Sequence, residues 1–289
     1  MIMKMSVMLI GILLSCTGYS QTVAYPRCDL VKMEVVTHVD MVSATAFQYS
    51  MTIRSMPESK QEIWTFGLDI PVPTQQEKRW ESIVSSLGRK TLWWKDHPGI
   101  GGTSWLTWIT GMRPNLQAGE EVCCLPISSA GMPGILPVFV QGRVDIKDLP
   151  DEEELPGEET PNGGLPVTGA DPIQNSYHTV AVGPEVLPET LSNEQMLDRL
   201  IALKDKAAGL GWIKDPGVVT SLNRKLANAR KELDRWFVGK KTARNMLGAF
   251  INELDALRGK QVDENAYWLL KANAQYLIYR LGGGLPKKG

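Results

Sequence analysis

From Asp148 to Glu189 the chain carries ten acidic side chains and not one lysine or arginine. The centre of this stretch, DLPDEEELPGEETPNGGLPVTGADP, is also dense in Pro and Gly and poor in large apolar residues. Such a segment cannot bury enough surface to offset its chain entropy, and repulsion between like charges keeps it extended. Residues 148–190 therefore read as an acidic, disordered linker, and folding must take place on either side of it. With 289 residues the chain has room for about two domains. The charges segregate the same way. Residues 1–147 hold 13 basic and 12 acidic side chains, whereas 192–289 hold 18 and 10. The formal net charge of −1 thus conceals a neutral front, an acidic middle and a basic end.

The first residues, MIMKMSVMLIGILLSCTGYSQTVAYP, place an apolar run from Val7 to Leu14 behind a single lysine. That run is too short to span a bilayer as a helix. With small residues after it, it reads as a secretory signal peptide over 1–20, cut after Ser20. An alternative stands beside this. Leu13-Leu14-Ser15-Cys16 resembles a lipobox, in which Cys16 would be lipidated and become the new N-terminus. Either way the mature protein is expected outside the cytoplasm, secreted or at the cell surface. No later stretch is long and apolar enough for a transmembrane helix. Cys28, Cys123 and Cys124 remain after the signal. An oxidising compartment permits a disulfide between Cys28 and one of the vicinal pair; three buried thiols are the equal alternative.

Residues 28–147 read as an all-β domain. LVKMEVVTHV, FQYSMTIRS, EIWTFGLDI, TSWLTWITG, EEVCCLPIS and ILPVFVQGRV are rich in Val, Ile, Thr and aromatics and are separated by turn residues, the pattern of a β-sandwich. Phe47, Tyr49, Met51 and Ile53 alternate, so that strand should bury one face. Gln75–Leu87 reads as a short helical insertion. Beyond the linker, SYHTVAVGPEVLP alternates again, and Val180 and Val182 suggest one more strand.

From Ser192 the period becomes helical. Ser192 and Gln195 form a capping box, followed by Met196, Leu197, Leu200, Ile201 and Leu203 on one side. Gly209 and Gly211 end that helix. Asp215-Pro216 opens a second, whose stripe is Val218, Val219, Leu222, Leu226, Ala229 and Leu233. A third is expected over Lys241–Leu257, closed by Gly259, and a fourth from the Asp263 cap to about Leu281. Residues 192–281 thus predict an all-α four-helix bundle. Asn252 lies beside the apolar pair Phe250-Ile251 and falls outside the stripe logic. It is expected to hydrogen-bond the neighbouring inter-helix loop.

The helical segment is similar to the FIMAH domain, a module found mostly at the C-termini of bacterial secreted and cell-surface proteins. LIALKDKAAGLGWIKDPGVVTSLNRKLANARKELDR resembles that family's opening helix, glycine-centred turn and second helix. GKKTARNMLGAFINELDALRGKQVDENAYWLLKANAQYLI resembles its F-I-N, A-x-x-G-K and terminal A..L...A..L elements. The resemblance covers about residues 192–281. It implies location, architecture and an interaction role, and transfers no catalytic residue. In the front part, MRPNLQAGEEVCCLPISSAGMPGILPVFVQG resembles a β-sandwich pattern of exported bacterial proteins. Ala118-Gly119 stands where that pattern has Pro-Gly, and Cys123-Cys124 replaces an aromatic-rich strand.

Catalysis needs convergent groups, and the sequence offers none. His38, His97 and His178 fall in separate segments, and there is no nucleophile elbow, HExxH or phosphate loop. GIGG at Gly99–Gly102 reads as a turn. Asp69, Asp96, Glu120 and Glu121 read as ordinary rim carboxylates rather than a glycosidase pair. No metal site or cofactor is expected, and the acidic linker lacks the ligand order of a calcium loop. Six of the nine Trp lie in the front domain: Trp64, Trp80, Trp93, Trp94, Trp105 and Trp108. Neighbours in a strand point to opposite faces, so Trp93 and Trp94 cannot share one core. Exposed Trp stacks on sugar rings or anchors protein interfaces. Trp93, Trp94, Lys95, His97, Trp105 and Trp108, with WWKDHPGIGG as a loop, are therefore the expected binding rim. Arg224, Lys225, Arg230, Lys231, Arg235, Lys240, Lys241 and Arg244 form a basic surface on the bundle, read first as a solvated face. It would otherwise attract wall polymers, glycans, lipid headgroups or the chain's own acidic linker. Nucleic acid is not expected. The chain reads as an exported non-catalytic binding protein for a glycan, cell-wall component or protein. An envelope lipoprotein held through Cys16 is the alternative, and a hydrolase ranks third.

Overall fold

The molecule is described by a computed structural model over residues 27–70, 83–84, 91–98, 104–110, 116–144, 176–188, 191–233, 235 and 239–285. The expected signal segment with Cys16, most of the acidic stretch and the GIGG sequence, expected as a turn, lie outside these residues. Among the described residues nine strands come first: β1 Met33–Ser43, β2 Ala46–Ser55, β3 Ile63–Ile70, β4 Ile83–Val84, β5 Thr91–Pro98, β6 Ser104–Thr110, β7 Glu121–Ser129, β8 Met132–Gly142 and β9 Tyr177–Glu185. They form two antiparallel sheets, β1-β2-β7 and β4-β5-β6-β3-β8-β9. β1 and β2 alternate as expected, burying Val35, Val39, Met41, Phe47, Tyr49, Met51 and Ile53 on one face. On the larger sheet Phe66, Leu68, Val138 and Val140 join the same apolar cluster, completing a sandwich. The wholly buried Tyr49 donates its hydroxyl to the Gly131 carbonyl at 2.7 Å, and burial pushes that hydroxyl well above its ordinary pKa.

Two local expectations are corrected. Ile83–Val84, inside the expected helical insertion, pairs with β5 as a strand. Thr91–Pro98 is a strand along its whole length and not a loop, pairing with β6 from Leu92↔Thr110 to Pro98↔Ser104. β9 pairs with β8 over nine positions, so an ordered strand of the larger sheet follows the acidic residues.

Four helices follow: α1 Asn193–Gly209, α2 Pro216–Leu233, α3 Gly239–Leu257 and α4 Glu264–Arg280. Their ends are built by local chemistry. The Ser192 hydroxyl accepts from the Gln195 N–H while the Gln195 carboxamide accepts from the Ser192 N–H, closing the capping box. Asp215 accepts from Gly217 N–H and Asp263 from Ala266 N–H. Gly211 and Gly259 take φ of +77° and +69°, the left-handed conformation in which a side chain would be strained. α1, α2 and α3 each bury one stripe. α4 differs, because its buried residues run from Asn265 through Ala266, Tyr267, Leu269, Leu270, Ala272, Asn273 and Ala274 to Leu277.

The reason is that α4 has two partners. One side packs against the other helices and the other against β1, β8 and β9. Buried apolar side chains of sandwich and bundle accordingly form one continuous cluster. At the seam, the buried Asn265 carboxamide donates to the Val35 carbonyl at 2.7 Å and accepts from the Thr37 N–H at 3.0 Å. β1 is an edge strand, whose outward-facing backbone groups would otherwise be unpaired. Asn265 supplies the donor and acceptor that a further strand would present. Asn273 makes a second seam contact at β8, donating to the Pro133 carbonyl at 2.9 Å. Arg199 reaches the same carbonyl and also bonds Asn273 and Glu185. Aromatic contacts extend the seam. His38 stacks on Trp268 with centroids 3.8 Å apart, and Phe47 meets Tyr276 at 6.0 Å. The Arg258 guanidinium lies 4.7 Å from the Trp268 ring centre and grips Glu264. The Arg258 hydrogen bond holds the Glu264 carboxyl below its ordinary pKa, against the opposing effect of burial.

Candidate functional site

Strand pairing sorts the expected rim residues onto two faces. In an antiparallel ladder directly opposed residues share a face, and successive residues alternate. On β5 and β6 the pairs Trp93↔Ile109, Lys95↔Thr107 and His97↔Trp105 therefore belong to one face, and Trp94↔Trp108 to the other. β6 continues into β3 with Phe66↔Trp108 and Asp69↔Trp105. Phe66 and Leu68 lie in the sandwich core, so Trp94 and Trp108 occupy positions on the core face of the sheet. Trp93, Lys95, His97 and Trp105 occupy the opposite, outer face. There Pro137 and His178 on β8 and β9 are exposed. The six expected residues are not one constellation; four share a face and two do not. Trp64 is exposed on β3, and Trp80 lies outside the described residues.

The outer face also contains two residues that residue-type reasoning undervalued. Gly67 opposes Phe139, and a Cβ at Gly67 would sit 1.9 Å from the Phe139 ring. Glycine is needed so that this ring can lie on the strand backbone. A glycine inside FGLDI was a sign of such close approach. Two residues on, Asp69 stands in the register row of Trp105. Its Oδ1 is buried and has no hydrogen-bond partner, and burial raises its carboxyl pKa. Asp69 thus combines a desolvated acceptor with an aromatic neighbour in register.

The cysteines are distributed across the sandwich. Cys28 bridges to Ser176 and accepts the Gly142 N–H with its carbonyl, beside the β8 end of the larger sheet, and burial pushes its thiol pKa up. Cys123 and Cys124 lie on β7 of the smaller sheet. On the bundle, several of the basic residues are engaged. Arg230 pairs with Asp198, Lys225 with Glu253 and Arg235 with Glu232, while Arg244 donates to the Gly282 carbonyl. Arg224, Lys231, Lys240 and Lys241 are exposed. Among the described residues no group of His, Cys, Asp and Glu is arranged to hold a metal ion, and no helix is long and apolar enough to cross a membrane.

The four helices, with their caps and glycine turns, decide the relationship. Residues 197–279 match the FIMAH domain. The match spans the bundle from α1 to α4, as the resemblance implied, and FIMAH domains are typical of bacterial cell-surface proteins. No curated protein shows significant similarity to the chain. Within the FIMAH domain, Phe250 is wholly buried and Ile251 half-buried, whereas Asn252 is exposed and its side chain forms no hydrogen bond. The expected contact of Asn252 with the inter-helix loop is therefore corrected. The buried asparagines of this FIMAH domain are Asn265 and Asn273, and both are spent on the seam with the sandwich.

Proposed function

We propose that the protein is an exported, non-catalytic binding protein whose sandwich recognises an extracellular glycan through the outer face of β5, β6 and β3. The supporting observation is the register that gathers Trp93, Lys95, His97 and Trp105 onto one face with Asp69. Indole rings offer flat apolar area for the C–H face of a sugar, and the polar neighbours offer hydrogen bonds to its hydroxyls. The FIMAH domain supports an extracellular setting. Its role in this reading is to hold the sandwich together from the edge opposite the tryptophan strands. Export proceeds through the N-terminal apolar segment, with release after Ser20 or retention through Cys16.

The test is a glycan array probed with the full mature chain. Trp93→Ala/Trp105→Ala should weaken every positive signal at least about tenfold, equivalent to about 1.4 kcal/mol. Trp94→Ala/Trp108→Ala, on the core face, should lower the melting temperature instead and leave the glycan preference unchanged. Equal binding by wild type and the first variant removes the reading. Capture of a protein partner, with no glycan signal, would replace it with a protein interface.

A further inference from the structure

Antiparallel neighbours in a sheet need only a short connection, commonly about 2–5 residues. β8 ends at Gly142 and β9 begins at Tyr177, so residues 143–176 form a connection far longer than pairing requires. Both roots of this loop are fixed at one end of the larger sheet. The Gly142 N–H donates to the Cys28 carbonyl at 2.7 Å, Cys28 bridges to Ser176, and Val140 pairs with Tyr177. The acidic residues thus leave and re-enter the same sheet, and connectivity does not account for their number. Between Asp148 and Asp171 the loop carries eight carboxylates and no basic side chain. Six of them, from Asp151 to Glu159, end at its midpoint, the part with the longest reach.

The bundle carries the complementary charge. Arg224 and Lys231, two helical turns apart, stand on the side of α2 opposite its buried Val218, Leu222, Leu226 and Ala229. α3 starts against the last turn of α2. The Gly239 N–H donates to the Arg235 carbonyl at 3.3 Å, and a Cβ at Gly239 would collide with the Glu232 carbonyl. That close approach brings Lys240 and Lys241 to the corner where Lys231 lies. Arg224, Lys231, Lys240 and Lys241 are exposed, and among the described residues none of the four is in an ion pair. Carboxylates nearby are engaged elsewhere: Asp198 with Arg230, Glu253 with Lys225 and Glu232 with Arg235.

We propose that this α2–α3 corner is the docking surface of the chain's own acidic loop, with the carboxylates of Asp151–Glu159 set against Arg224, Lys231, Lys240 and Lys241. Half of the loop, drawn out, spans about 50 Å. That exceeds the length of β8, about 36 Å, and of α2, about 27 Å, so the run reaches the bundle from its roots on the sheet. Single exposed ion pairs are weak. The tether, however, holds the carboxylates at an effective concentration on the order of millimolar, and several pairs form together without recruiting a separate molecule. A free anionic polymer has to displace the loop before it meets the corner. The docking does not depend on what the sandwich binds.

The experiment uses the full mature chain and zero-length carbodiimide coupling of carboxylates to lysine amines, read by peptide mapping. Lys32 and Lys60 are the internal references. Both are exposed beside the loop's roots, where the Lys60 N–H donates to the Leu30 carbonyl, and a loop without a preferred surface would couple to them first. Coupling of residues 151–159 to Lys231, Lys240 and Lys241 should instead exceed the references at least about fivefold at low salt. It should fall to their level at about 1 M salt, where the screening length is about 3 Å. Lys231→Glu/Lys240→Glu/Lys241→Glu alters only exposed side chains and should melt like wild type. A glutamate-specific protease should cut it between Glu152 and Glu159 at least about fivefold faster than wild type. Coupling no greater than the references, or equal cleavage, overturns the docking. A last arm separates an internal from an external partner. Asp151→Asn/Glu152→Gln/Glu153→Gln/Glu154→Gln/Glu158→Gln/Glu159→Gln should bind inorganic polyphosphate at least about fivefold more tightly than wild type, because the corner is uncovered. Equal binding by the two, or none by either, also overturns the docking.

Discussion

α3 and α4 are consecutive helices of 19 and 17 residues in the same bundle, yet their burial follows different rules. α3 buries Gly239, Ala243, Leu247, Phe250 and Leu254, a single stripe at intervals of three and four. α4 buries residues around most of its circumference, two of them asparagines. A stripe means one covered side, here packed within the bundle, and its absence in a structured helix means that more than one side is covered. The second neighbour here is the sandwich. α4 therefore belongs to the FIMAH domain by sequence and to the sandwich by packing. The acidic stretch joins two parts that share a core, rather than two independent beads.

The strongest way to break that comparison is to damage α3 and watch the strands. Phe250 is wholly buried in the bundle, and Phe250→Ala should cost about 3–5 kcal/mol. With a shared core, hydrogen exchange of the β2 amides and of the α3 amides should accelerate together, and calorimetry should show one transition at a lower temperature. If the β2 amides kept their wild-type protection, sandwich and bundle would be separate cooperative units, and α4 would be a contact rather than a bridge.

A smaller effect is expected from the seam itself. Asn265→Ala leaves the Val35 carbonyl and the Thr37 N–H without their partner. Two buried backbone groups orphaned in this way should cost about 2–4 kcal/mol, somewhat less where water enters the gap. Asn265→Asp keeps the acceptor for Thr37 but turns a carboxylate oxygen toward the Val35 carbonyl, so it should not rescue the loss. Denaturant unfolding gives the magnitude, and exchange at the Thr37 amide gives the location. An unchanged midpoint for Asn265→Ala would show that closure of the β1 edge contributes nothing.

What was legible beforehand follows the range of each interaction. The capping box at Ser192 and Gln195, the Asp215 and Asp263 caps and the glycine turns at 211 and 259 are decided within a few residues. They could be read directly, and so could the alternation of Phe47, Tyr49, Met51 and Ile53. Asn265 lies 228 positions from Thr37. Nothing near it in the chain says that its amide will complete an edge strand. The candidate site divides the same way. That Trp93 and Trp94 face apart follows from strand geometry alone. Which of them joins Trp105 depends on the register of β5 against β6, and which face is the core on the pairing of β6 with β3. Asp69 looked like any rim carboxylate until the same register placed it beside Trp105. WWKDHPGIGG read as a loop, and its Asp96, His97 and Pro98 are indeed poor strand formers. Its pairing with β6 overrides that local preference.

The smallest expected effect sharpens the comparison most cheaply. Asn252 sits on α3 next to the buried Phe250, within the F-I-N segment that resembles the FIMAH pattern, and is exposed, its side chain without a hydrogen bond. Surface substitutions of this kind stay within about 0.5 kcal/mol. Alanine is also the better helix former, which offsets part of any loss. Asn252→Ala should therefore unfold at the wild-type denaturant midpoint while Asn265→Ala, thirteen residues on and equally polar, does not. If Asn252→Ala proved the more damaging of the two, α3 would have a polar neighbour of its own. The one-sided and two-sided helices would then have exchanged roles, because a solvated amide has no folding free energy to lose and one that completes a strand edge does.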